Sequence, residues 1–108
     1  MPKYMILFGL TGETMGRFMQ NPSDRSTTVR DLVGQLGGEL ESYHFMFGQY
    51  DGVVICELPD SAAAAALGAA VAGTGAFSRY ETHELISTED MVSHMQKAKD
   101  VSYQPPGG

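Results

Sequence analysis

Cysteine and basic residues are scarce in this sequence. The single cysteine, Cys56, excludes an intrachain disulfide and a multi-cysteine metal cluster. Seven basic residues against 13 acidic ones give a net charge of -6, which argues against nucleic acid and anionic membrane surfaces as partners. A moderate net charge is a common solubility device, and the single cysteine leads us to expect a reducing, cytoplasmic setting.

Long hydrophobic runs are also missing. The longest run, residues 62–72, is far shorter than the ~20 residues that a membrane-spanning helix needs. Residues 1–10 are apolar but lack a small-residue cleavage site, so we expect no signal peptide. The 108 residues fit one domain. We predict that this domain covers residues 1–99 and that residues 100–108 form a flexible tail.

The signatures of several common catalytic sites are absent as well. The sequence contains no Cys-x-x-Cys pair, no glycine-rich phosphate loop with a lysine, and no serine-hydrolase elbow. Gly73-Thr74-Gly75-Ala76 follows a predicted helix and precedes a predicted strand, which is the wrong context for a dinucleotide fingerprint. No motif therefore names a reaction.

Hydrophobic periodicity predicts an alternation of strands and helices. Strands are predicted at residues 4–8, 39–47, 53–58 and 77–86. Helices are predicted at residues 13–20, from Asn21-Pro22 to Leu36, from Asp60 to about residue 72, and from Ser87 to about residue 99. Asn21, Asp60 and Ser87 are residue types that cap helix N-termini. Strict alternation in the second strand puts Leu40 on one face with Ser42 and His44.

This order predicts a ferredoxin-like split βαβ fold, βαββαβ with a C-terminal helix, in the α+β class. The short turn at residues 48–52 makes its two strands antiparallel, and right-handed crossovers put both long helices on one face of a four-stranded antiparallel sheet. Apolar side chains occur on both faces of the strands, and a sheet of that kind needs cover on both faces. We therefore predict a homodimer or higher oligomer, with a second copy on the open face as in a dimeric α/β barrel.

A family resemblance is carried by several short motifs spread over the chain. They are Lys3-Tyr4, Asn21-Pro22 with Asp24-Arg25, Leu36-Gly37-Gly38, Gly48-Gln49-Tyr50-Asp51, Glu57-Leu58-Pro59-Asp60, Gly75-Ala76-Phe77 and Glu81-Thr82. Over about residues 3–98 the chain resembles the GYD domain family of small bacterial proteins, although Gln49 interrupts the literal Gly-Tyr-Asp triplet. The resemblance implies a ferredoxin-like fold similar to dimeric α/β-barrel proteins. That wider group includes cofactor-free monooxygenases, haem-handling proteins, isomerases and ligand-sensing domains, so it names no cofactor and no single function.

Three residues on predicted strands are candidates for catalysis. Glu57 would lie on the sheet face away from the helices, where a dry cleft would raise its pKa and let it act as an acid or base. We expect His44 close to Cys56 or Glu57 across the hairpin, and His83 on the last strand beside Glu81. Glu57, His44 and His83 could also form a metal-binding set, but isolated strand histidines are usually structural or exposed, so we predict no metal site.

Three further residues are candidates for ligand binding. Tyr50 and Asp51 form either a ligand-binding loop or a tight turn that needs no ligand. Tyr43 begins an aromatic stripe with Phe45 and Phe47, which could line a pocket or an oligomer interface. The sequence leaves open which of these alternatives applies.

Three functions remain open, and the sequence does not decide whether the chain is an enzyme. The first is a homo-oligomeric small-molecule-binding protein with its ligand between the open sheet face and the partner copy. The second is a cofactor-independent enzyme of oxygenase or isomerase type, in which Glu57 or a histidine moves a proton. The third is a structural or regulatory assembly protein without catalysis.

Overall fold

The computed structural model describes residues 1–107, and in this part of the chain strands and helices follow the predicted order. The strands are β1 (Lys3–Leu10), β2 (Glu39–Phe45), β3 (Gly52–Glu57) and β4 (Phe77–Leu85); the helices are α1 (Gly12–Gln20), α2 (Ser26–Gln35), α3 (Ser61–Ala72) and α4 (Thr88–Ala98). The strands form one antiparallel sheet in the order β2-β3-β1-β4. The predicted ferredoxin-like fold is confirmed.

Short polar side chains start the helices. Asp60 accepts a hydrogen bond from the Ala63 N–H at 2.9 Å and begins α3, and Ser87 accepts one from the Asp90 N–H at 3.0 Å and begins α4, as predicted. The prediction that Asn21 begins the second helix is wrong. Asn21 instead ends α1, because its N–H donates to the Arg17 carbonyl at 3.1 Å. The helix α2 starts only at Ser26, whose N–H is held by Asp24 at 2.9 Å.

The two faces of the sheet have different surroundings. On the helix face, Tyr4, Ile6, Phe8, Val54 and Cys56 are buried and form the core with side chains of α2 and α3. The open face carries Met5, Leu7, Val53 and Ile55, which are only partly buried in the single chain. Their alternation with the buried set follows from the two-residue period of a strand.

An irregularity in β2 changes which of its residues face the helices. The register between β2 and β3 shifts between Leu40 and Ser42, so that Leu40 lies opposite Cys56 while Tyr43 lies opposite Val54. Leu40 and Tyr43 therefore share the helix face, and the prediction that Leu40 shares a face with Ser42 is wrong. The extra residue lets Leu40 pack against the core instead of pointing to the open face.

The helix α4 contributes no side chain to the core of the domain. None of its residues is buried, and its apolar side chains Met91, Val92 and Met95 are exposed. The radius of gyration of 17.4 Å exceeds the about 13 Å typical of a compact domain of this length. No helix in residues 1–107 combines the length and apolar character that crossing a membrane requires.

Replacing Gly52 with Ala tests the packing of the Phe8 ring against the backbone of β3. A Cβ atom at position 52 would overlap the ring of Phe8. We expect Gly52→Ala to lower the free energy of unfolding by ~1–3 kcal/mol, the usual cost of overpacking. Gly16→Ala is the control, because nothing lies within 4 Å of the added atom in α1 and alanine favours a helix. Urea unfolding of both variants measures the difference, and equal stability of the two would contradict the proposed contact.

Candidate functional site

The histidines predicted as catalytic lie at opposite edges of the open face. His44 on β2 lies opposite Val53, and His83 on β4 lies opposite Met5. Two strands separate the edge strands β2 and β4, so three interstrand steps of ~4.8 Å alone give roughly 14 Å. His83 also lies two residues along β4 from Glu81, the position level with His44, so the two histidines are farther apart still. The fold puts the two imidazoles on one face without bringing them together.

Glu57 lies on the open face, as expected, but it is not beside His44. It lies opposite Lys3 on β1 and Glu39 on β2. His44 pairs with Val53, four residues earlier in β3, which is roughly 14 Å away along a strand. The expectation that His44 lies near Cys56 or Glu57 is therefore wrong. The reason is that β2 ends at Phe45 and β3 begins at Gly52, so the connection is longer and the register differs from that of a tight hairpin.

The structure offers neither a metal site nor a reactive thiol in the part that it describes. In residues 1–107, no group of three or more His, Cys, Asp or Glu side chains is arranged to hold a metal ion. Cys56 is fully buried, and burial raises the pKa of its thiol. A thiol held in its protonated form is a poor nucleophile.

A hydrogen-bonded chain of three side chains stands at the β4 edge of the open face. The Tyr50 hydroxyl donates to one oxygen of Glu81, and the other oxygen of Glu81 lies 3.1 Å from Nε2 of His83. The guanidinium of Arg79 lies 5.9 Å from the centre of the Tyr50 ring. A phenol, a carboxylate and an imidazole in series can hold or pass on a proton. Strand alternation alone places Glu81 beside His83, whereas the contact with Tyr50 depends on how the β2–β3 loop folds.

Asp51 is engaged in holding this loop to β1. Its carboxylate accepts a hydrogen bond from the Leu10 N–H at 2.7 Å, and its own N–H donates to the Phe8 carbonyl at 2.8 Å. Leu10 lies where the register between β1 and β4 shifts, so its N–H needs a partner outside the regular ladder. These bonds support the turn interpretation of Asp51.

A cavity of about 640 Å³ lies on the other side of the sheet, beneath α1, α2 and α3. Its floor includes Ile6, Phe8 and Val54 of the sheet. Of the six residues that the sequence analysis named as catalytic or ligand-binding candidates, Tyr43 lines the cavity and the other five do not. Phe45, from the same aromatic stripe, lines it as well. Besides Tyr43 and the floor residues, the lining residues come from the helices, their connections and the strands β1, β2 and β4: Leu10, Thr14, Arg17, Phe18, Asn21, Ser23, Arg25, Thr28, Val29, Leu32, Val33, Phe45, Leu67, Ala70, Val71, Thr74, Ala76, Phe77 and Tyr80.

Aromatic side chains form one wall of this cavity. The ring of Phe8 meets Tyr43 edge to face at 6.0 Å between centroids and Phe77 at 5.5 Å. Burial raises the pKa of the Tyr43 and Tyr80 hydroxyls, so both remain neutral hydrogen-bond donors around neutral pH. In the predicted aromatic stripe, Tyr43 and Phe45 lie on this side and contact each other, although Phe45 remains half exposed. Phe47 lies beyond the end of β2 and is fully exposed.

Comparison with known proteins gives a family and a fold. A model of the GYD domain family matches residues 4–95. No curated protein matches the chain. The crystal structure of MtbAldR is similar, with a TM-score of 0.55 and 15% sequence identity over 80% of this chain and 53% of that one. The chain thus spans about half the length of that structure, and a likeness at this level of identity speaks to the fold alone.

Removing the carboxylate of Asp51 tests its role in the fold. We expect Asp51→Ala to lower the free energy of unfolding by ~1–3 kcal/mol, because the part-buried Leu10 N–H loses its acceptor. Asp51→Asn keeps an oxygen acceptor and is expected to lose less. Asp31→Ala, an exposed position in α2, is the charge-matched control. Chemical denaturation that found Asp51→Ala as stable as Asp31→Ala would show that the hydrogen bond contributes nothing.

Proposed function

The chain belongs to the GYD domain family, as its motifs predicted, and on that premise we propose that it is a homo-oligomeric small-molecule-binding protein. The family alone names no ligand. The observation that carries the proposal is the 640 Å³ cavity between the helix face of the sheet and the helices α1, α2 and α3.

The cavity has the size and the lining of a small-molecule site. Small-molecule sites have volumes of roughly 300–1,000 Å³, and their walls are mostly apolar with a few polar groups. Arg25, Thr28 and Ala70 in the lining of the cavity are exposed, so the cavity opens to solvent and a ligand could enter it without unfolding the core. An organic ligand in this cavity would cover the part-exposed side chains of Phe77 and Tyr80 and would lie against the buried ring of Phe8.

The open face is better suited to assembly than to enclosing a ligand in one chain. Met5, Leu7, Val53 and Ile55 form a contiguous apolar strip across β1 and β3, and the helices within residues 1–107 leave these side chains only partly buried. Burying such a strip against a second copy removes apolar surface from water at ~25 cal/mol per Å². We propose that copies of the chain associate through this face, as in a dimeric α/β barrel.

Filling the cavity is expected to weaken ligand binding. Ala70 lines the cavity from α3, so the longer side chain of Ala70→Leu would occupy part of it. We expect the affinity for the neutral fluorescent probe N-phenyl-1-naphthylamine to fall about tenfold, or ~1.4 kcal/mol. Fluorescence titration measures the change.

Ala69→Leu is the matched control for this experiment. Ala69 is the preceding residue of α3 and is exposed like Ala70, but it does not line the cavity. Wild type and Ala69→Leu should bind the probe alike. Two results would contradict the proposal that the cavity binds a ligand. One is a wild type that binds no apolar probe, and the other is an Ala70→Leu variant that binds the probe as tightly as the wild type.

Placing a charge on the open face is expected to break the oligomer. Ile55→Lys would bring an ammonium group into the apolar strip. Removing this charge from water when two copies associate would cost roughly several kcal/mol. We expect native mass spectrometry to show a dimer or higher oligomer for the wild type and a monomer for Ile55→Lys. Met19→Lys, at an exposed position of α1, should leave the oligomer intact. A monomeric wild type would rule out this part of the proposal.

A second candidate function is an acid–base enzyme at the open face. It is favoured by the chain Tyr50–Glu81–His83, in which Glu81 contacts the imidazole and Tyr50 contacts Glu81. This chain shares only His83 with the expected set of Glu57, His44 and His83. Proton abstraction by such a chain would exchange an acidic C–H hydrogen of a bound ketone with solvent. In this interpretation the ligand would lie between two copies of the sheet.

Deuterium exchange separates this candidate from binding alone. The wild type is incubated in D₂O with enolisable aromatic ketones, and exchange is followed by NMR. An enzyme of this kind would exchange, and Glu81→Gln and His83→Gln would lose most of the rate, while His94→Gln on α4 would keep it. No exchange with any ketone, alongside probe binding in the cavity, would leave the binding protein as the better description.

A further inference from the structure

The ionised residues that line the cavity all carry the same charge. Among the described lining residues there are two arginines, Arg17 and Arg25, and no Asp, Glu, Lys or His. The chain as a whole has the opposite balance, with 13 acidic and 7 basic residues. We propose that the ligand of this cavity is an amphiphilic organic anion, with an apolar body and one carboxylate. This inference rests on the proposed binding function and adds the chemical class of the ligand.

Arg25 is the residue best placed to receive the carboxylate. It makes no ion pair within residues 1–107, whereas Arg17 contacts Glu13 at 3.3 Å on the exposed side of α1. The neighbouring carboxylate of Asp24 is engaged with the Ser26 N–H and does not line the cavity. A guanidinium binds a carboxylate through two parallel N–H donors, a geometry that an ammonium group lacks.

Further donors lie close to Arg25. Tyr43 lines the same cavity as Arg25, and burial raises the pKa of its hydroxyl, which therefore keeps its proton. The helix α2 begins at Ser26, next to Arg25, and its first-turn residue Thr28 lines the cavity. The positive end of the helix dipole adds to the attraction for an anion.

The apolar body of the ligand would lie farther inside. Phe8, Val54 and Leu67 are buried residues of the core that contribute to the lining, and none of them offers a polar side chain. An anion with an alkyl or aryl body would thus keep its charge at the arginines and bury its hydrocarbon against the sheet. A cationic amphiphile of the same length would meet like charge at the same place.

A competition experiment with three matched amphiphiles tests the charge preference. Octanoate, 1-octanol and octylamine compete with N-phenyl-1-naphthylamine for the wild-type protein at pH 7. We expect octanoate to bind about fivefold more tightly than octanol, within the range of a partly exposed ion pair, and octylamine to bind most weakly. The advantage of octanoate should shrink when the salt concentration rises.

Two arginine variants locate the effect. Arg25→Gln should remove most of the advantage of octanoate and leave the affinity for octanol unchanged. Arg79→Gln is the control, since it removes the same charge from the opposite face of the sheet and should change neither affinity.

The outcomes test the preference for an anion separately from the proposed binding function. Equal affinity for octanoate and octanol, or tighter binding of octylamine, would overturn the anion preference while leaving the cavity as a binding site. An octanoate advantage that Arg79→Gln removes as fully as Arg25→Gln would overturn the assignment to the cavity arginines. Binding of none of the three amphiphiles would overturn both the inference and the binding function.

Discussion

The packing of the Phe8 ring over Gly52 is the contact on which the rest of the structure depends. Because residue 52 has no side chain, the ring lies against the backbone of β3 and meets Tyr43 and Phe77 with its edges. The adjacent residue, Asp51, fastens the same turn to β1 through the Leu10 N–H. One glycine and one carboxylate thus join three strands at the end of the sheet where the cavity lies.

The cavity follows from how unevenly the helices cover the sheet. Leu67 of α3 and Val33 of α2 reach the sheet and are buried. The small side chain of Ala70 and the short polar side chain of Thr28 leave the space between the helices unfilled. An alanine-rich helix approaches a sheet closely but fills little volume, so a domain built this way has room for another molecule next to its core.

The sequence predicted the fold well because strands and helices follow from local periodicity and capping. Asp60 and Ser87 started their helices as expected, and the alternation around Val54 assigned the faces of β3. The same alternation assigned Leu40 to the wrong face of β2, because a bulge moves side chains between faces without altering the hydrophobic pattern. The candidate site was harder to predict, because a cavity depends on the distance between packed elements, and the contact of Tyr50 with Glu81 joins residues 31 positions apart.

The buried position of Cys56 makes its thiol a natural probe for the separation of the helices from the sheet. The thiol is fully buried on β3, beneath the helices, and it is the single cysteine of the chain. A modifying reagent therefore reaches it only when the sheet and helices separate, so the rate of labelling follows the free energy of that separation. A ligand that binds the closed form slows the labelling in proportion to its occupancy, which makes the unmodified protein a sensor for whatever molecule occupies it.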